Sequence, residues 1–98
     1  MEIIKEKAAD SLKMKLQGRL DTNTAPRLEA ELEEALPGVK ELELDFSELK
    51  YISSAGLRVL LGTQKKMNRQ GVMKLTHVDA DIMEIFEITG FVDILTIE

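Results

Sequence analysis

The sequence predicts an α/β fold: a mixed sheet of four to five strands that opens with an antiparallel hairpin and packs against helices. Two observations predict it. The spacing of apolar residues switches repeatedly between the period of two of a half-buried strand and the three-to-four spacing of an amphipathic helix. The helix-ending signals Pro37-Gly38, Gly71 and Gly90 stand where that period changes. Strands separated by single helices pair in parallel through right-handed crossovers, whereas a hairpin pairs antiparallel, so one sheet is expected to hold both kinds of pairing.

Each element has its own local reason. Ile3 and Ile4 mark a first strand, and Leu12, Met14 and Leu16 alternating with Lys13, Lys15 and Gln17 mark a second, joined by a turn around Ala8 to Ser11. After Gly18, Thr24 is placed to cap a helix with Pro26 in its first turn. Leu28, Leu32 and Leu36 form its apolar stripe, and Glu29, Glu31, Glu33 and Glu34 its solvated face. Leu42, Leu44 and Phe46 alternate with Glu41, Glu43 and Asp45 in a third strand. A short loop then leads to a helix that starts near Ser53-Ser54 and carries Leu57, Leu60, Leu61, Gln64 and Met67 to Gly71. Val72 to Leu75 reads as a short strand. Asp79 or Asp81 can cap the next helix, which buries Ile82, Ile85 and Phe86 and ends at Gly90. Phe91 to Ile97 is apolar and β-branched and is expected to form a final strand. Leu44 and Leu60 are expected in the core, with Met67, Met73 and Met83 filling it.

Composition narrows the function. At 98 residues the chain reads as one domain spanning 1–98, too short for an enzyme with its site between two lobes. A net charge of -5 disfavours nucleic acid and anionic lipid as partners and favours a protein. No apolar run approaches the roughly 18 residues of a spanning helix, and the start resembles no secretory signal, so a cytoplasmic protein without direct membrane insertion is expected. With one histidine, His77, and no cysteine, no transition-metal site is expected. The scattered glycines form no phosphate-cradling loop, so no cofactor is expected. His77, at a strand end, reads as a surface or turn residue.

The segment Asp45-Phe46-Ser47-Glu48-Leu49-Lys50-Tyr51-Ile52-Ser53-Ser54-Ala55-Gly56-Leu57 is different, because it leaves a strand and opens a helix with two serines followed by small residues. On pattern alone it has two readings. In one, Ser53 caps the helix while Ala55 and Gly56 permit close packing. In the other, a serine is phosphorylated, and its charge of about -1.5 to -2 stands against the free N–H groups of the first turn, where the helix dipole favours an anion.

This segment resembles the STAS domain family, and within it the bacterial anti-sigma factor antagonists. Gly18-Arg19-Leu20-Asp21-Thr22-Asn23-Thr24-Ala25 and Ile85-Phe86-Glu87-Ile88-Thr89-Gly90-Phe91 are similar to two further patches of the family, in the expected order. The resemblance implies a STAS-like fold and a partner-switching regulator that is no catalyst itself. Its partners would be a serine-kinase anti-sigma factor, which it binds when unphosphorylated, and a serine phosphatase. The family's phosphoacceptor stands two positions before the glycine of the Gly-Leu pair, which is Ser54 here. The aspartate usual before it is replaced by Ser53, the second candidate. Asp21, Thr22, Asn23, Ser53, Ser54, Ala55, Gly56 and Arg58 are the implied partner-binding residues, and Tyr51 is expected to pack beside them. Two other classes remain: a non-enzymatic subunit of a transport or signalling assembly, and an enzyme with Ser54 as nucleophile, for which no base is evident.

Overall fold

The alternation in the second predicted strand orients the whole molecule, because it leaves Leu12, Met14, Leu16 and Leu20 on a buried face and Ser11, Lys13, Lys15 and Gln17 on a more open one. The computed structural model describes residues 1–98. Strand β1 (Glu2–Ala8) pairs antiparallel with β2 (Ser11–Leu20), and the hairpin closes at the Ala8–Ser11 pair. Helix α1 (Ala25–Ala35) crosses to β3 (Glu41–Ile52), helix α2 (Ser54–Gln70) to β4 (Val72–Thr76), and helix α3 (Ala80–Thr89) follows. The spatial order is β1-β2-β3-β4, with β2, β3 and β4 parallel.

One face of this sheet carries the core. Leu12, Met14 and Leu16 of β2, Leu42, Leu44 and Phe46 of β3, and Met73 and Leu75 of β4 join Leu28 and Leu32 of α1, Leu57, Leu60 and Met67 of α2, and Ile82 and Phe86 of α3 in a single cluster. Leu44 and Leu60 are fully buried as expected, and Phe46 and Phe86 meet with ring centroids 6.4 Å apart. The methionines divide: Met67 and Met73 are buried, while Met83 packs against the cluster half-buried. Close approach at the end of α2 demands a glycine, since a Cβ on Gly71 would lie 2.0 Å from the Lys40 carbonyl oxygen. At the end of α3, Gly90 adopts a left-handed conformation (φ 81), which suits a residue without a Cβ.

Two expectations about the elements are corrected. The predicted final strand over Phe91–Ile97 is a 3-10 turn at Phe91–Asp93, followed by a single parallel bridge from Ile97 to Leu75. The left-handed Gly90 turns the chain sharply, and the Gly90 and Phe91 carbonyls accept amides from Asp93, Ile94 and Leu95, so the apolar segment spends its backbone locally. The short loop expected after Phe46 is a continuation of β3 to Ile52. It passes through register shifts against β2 at Lys15/Gln17 and Gly18/Arg19, which let the hydrophobic alternation break while pairing persists.

Candidate functional site

The 12-residue β3 and the 10-residue β2 run parallel and end together, with Leu20 paired to Ile52. Their carboxyl ends therefore deliver two segments to one place: Asp21-Thr22-Asn23 after β2, and Ser53-Ser54 after β3. A hydrogen bond ties the segments together, from the Ser53 amide to the Leu20 carbonyl at 2.9 Å.

Ser53 is the N-cap of α2. Its backbone is extended (φ -103, ψ 176), its carbonyl accepts the Leu57 amide at 2.9 Å, and its hydroxyl accepts the Gly56 amide at 3.4 Å, a long bond. Ser54 is the first helical residue and is exposed, Ala55 is half-buried and Gly56 is buried. Gly56 is small because the strand ends press on it, and a Cβ there would lie 2.7 Å from Leu20 Cγ and 2.9 Å from Ile52 Cγ1. Arg58, one turn into the helix, is exposed.

Across the junction Asp21 organises its own loop. One carboxylate oxygen accepts the amides of Asn23 at 3.0 Å and Thr24 at 3.1 Å, while Thr22 and Asn23 face solvent. Thr24 is the N-cap residue of α1, but its hydroxyl makes no capping bond into that helix. It instead accepts the Asp21 amide at 2.9 Å and donates to the Arg19 carbonyl at 2.8 Å. The expected helix cap is thus a loop brace. Desolvation pushes the Asp21 carboxyl upward, but the Thr24 and Asn23 amides, the Thr24 hydroxyl and the Arg19 charge outweigh it and hold the group below its ordinary value.

Sequence reasoning missed Arg19. Its guanidinium lies 4.2 Å from the centroid of the Tyr51 ring and 3.7 Å from an Asp21 carboxylate oxygen, linking the two strand ends through one cation. The signal that could have found it is the parallel register that pairs Arg19 with Tyr51, and that register depends on the shift at Gly18.

His77 belongs elsewhere. It stands in a left-handed conformation (φ 57) after β4, with Nδ1 3.4 Å from a carboxylate oxygen of the buried Asp45. Asp45 also takes the Ser47 amide at 2.9 Å and faces Lys13 at 3.9 Å. Asp45 precedes the end of β3 by seven residues, so at ~3.3 Å per residue this cluster lies on the order of 20 Å from Ser54. The structure therefore brings Asp21, Thr22, Asn23, Ser53, Ser54, Ala55, Gly56 and Arg58 to one end of the sheet and leaves His77 away from them.

Comparisons with known proteins identify the family and the fold. A family model described as "Mlab, STAS domain" matches residues 4–96. A Bordetella bronchiseptica protein designated BtrV is 37% identical over 99% of this chain and 85% of its own length. The anti-sigma-B factor antagonist of Listeria monocytogenes is 35% identical over 97% of this chain and 85% of its own. Among solved structures, the anti-sigma factor antagonist SpoIIAA of Bacillus is similar in its unphosphorylated form, with a TM-score of 0.78, 17% identity, and 99% and 87% of the two chains covered. Its phosphorylated form gives 0.77, with 18% identity and coverage of 99% and 91%. With a family model spanning almost every residue and relatives above 30% identity over nearly the full length, this chain belongs to the STAS domain family.

Proposed function

We propose that this protein is an anti-sigma factor antagonist that binds a serine-kinase anti-sigma factor while Ser54 is unmodified and releases it when Ser54 is phosphorylated. The observation that carries the reading is the contrast between the two serines. Ser53 is half-buried with its hydroxyl committed to the Gly56 amide, whereas Ser54 is exposed at the first position of α2. An acceptor must present its oxygen to a foreign active site, and Ser54 does so without losing a structural bond.

The chemistry belongs to the partners. The Ser54 hydroxyl oxygen attacks the γ-phosphorus of ATP held by the kinase, the bond to the bridging oxygen breaks, ADP leaves, and the hydroxyl proton passes to a base of the kinase. A phosphatase adds water to the phosphoester, regenerates the hydroxyl and releases inorganic phosphate. This chain supplies only the nucleophilic oxygen, because its sole histidine stands beside Asp45, midway along β3 and away from Ser54. A doubly charged group on a contact surface must be desolvated or must face like charge, and each ~1.4 kcal/mol lost weakens binding tenfold. The first-turn amides tolerate the same charge within the fold, and no acidic residue occupies that turn.

The test is intact and fragment mass spectrometry after treatment with the cognate kinase, on wild type, Ser53→Ala and Ser54→Ala. A single phosphate is expected, absent only from Ser54→Ala. A phosphate that persists in Ser54→Ala and disappears from Ser53→Ala reverses the assignment. Copurification of transport components in place of a kinase would move the chain to the scaffold class.

A further inference from the structure

The first two turns of α2 contain one charged side chain, Arg58, which is exposed and absent from every ion pair of the structure. Its neighbours on the helix surface are Ser54 and Ala55 on the N-terminal side and Leu61 and Gly62 on the C-terminal side, so no carboxylate is within intrahelical reach. The other arginine of the site, Arg19, is already engaged by the Tyr51 ring and the Asp21 carboxylate. Long side chains on a helix lean back toward its N-terminus over the preceding turn, which directs the Arg58 guanidinium toward position 54.

We propose that Arg58 is the intramolecular receiver of the phosphate on Ser54, four residues before it, so that modification creates the ion pair the unmodified helix lacks. This rests on Ser54 being the acceptor. The planar fork of a guanidinium matches two phosphate oxygens, which a lysine in its place could meet only as a point charge. The pairing has two consequences for the switch. It stabilises the dianionic phosphate on the folded helix, and it withdraws from the partner-facing surface the free cation that a partner's carboxylate would otherwise meet. Arg58 is in this sense a positioning residue and takes no part in phosphoryl transfer.

The experiment uses the full chain with phosphoserine incorporated at position 54 during translation, which makes it independent of any kinase. Phosphorus NMR then follows the second ionisation of the phosphate against pH in an otherwise wild-type chain and in Arg58→Gln, Arg58→Lys and Arg19→Gln backgrounds. A cation on the phosphate favours the dianion, so the wild-type background is expected to titrate about half a pH unit below Arg58→Gln, with Arg58→Lys between them and Arg19→Gln matching wild type. Equal titration in wild type and Arg58→Gln overturns the proposal, and so does a shift found in Arg19→Gln alone. Failure here leaves the mass-spectrometric assignment of Ser54 untouched. Conversely, a kinase that modifies another residue removes the functional basis of the pair while the titration still reports its chemistry.

Discussion

At Ser53 the hydroxyl is bound to the Gly56 amide, and at Ser54 it faces solvent, so the two alanine variants should separate structure from signalling. Ser53→Ala removes a long capping bond and is expected to lower stability by about 0.5–1 kcal/mol, seen as a fall of a few degrees in the thermal midpoint. Ser54→Ala is expected to stay within about 0.5 kcal/mol of wild type, as exposed substitutions do. A midpoint that falls more for Ser54→Ala than for Ser53→Ala would mean the capping roles are exchanged. Gly56→Ala gains helix propensity of about 1 kcal/mol, yet its new methyl group meets Leu20 and Ile52 inside contact distance. Overpacking of this kind costs about 1–3 kcal/mol, so net destabilisation is expected from denaturant unfolding. The serine pair and Gly56 were legible in the sequence because their neighbours in the chain define them. Arg19 was not, since its partners Tyr51 and Asp21 meet it only through strand register and loop closure.

At the scale of elements, β3 was legible as far as Phe46, where strict alternation ends, and illegible from Ser47 to Ile52, where register shifts carry the pairing through an irregular pattern. The last segment failed for the opposite reason: Phe91–Ile97 has strand-like composition, but the left-handed Gly90 folds it into a turn before it can pair beyond one bridge. Where β3 passes Asp45, the sheet holds a buried carboxylate, and burial raises its pKa while the Ser47 amide and hydroxyl, His77 and Lys13 lower it further, leaving it below the ordinary 3.8. A carboxyl depressed in the folded state contributes stability that is complete above its unfolded value and is lost as pH falls through its folded value. Urea unfolding of wild type is therefore expected to weaken below about pH 4, and Asp45→Asn to lose less stability over that interval. Identical pH dependence in the two proteins would show that Asp45 is not the group responsible.

At the scale of the molecule, the sheet, its core and its parallel crossovers serve to bring the carboxyl ends of β2 and β3 together, so that an ordered loop and a helix start share one surface. The first turn of α2 carries no acidic residue, so a charge placed at Ser54 is expected not to unfold the domain. The unmodified and phosphorylated chains should therefore unfold at similar temperatures. The most direct measurement is calorimetric titration of the cognate anti-sigma kinase with each form of the full chain. Binding of the unmodified form and affinity at least tenfold weaker for the Ser54-phosphorylated form, with unchanged folding of both, is the result this account predicts; equal affinities for the two forms would contradict it.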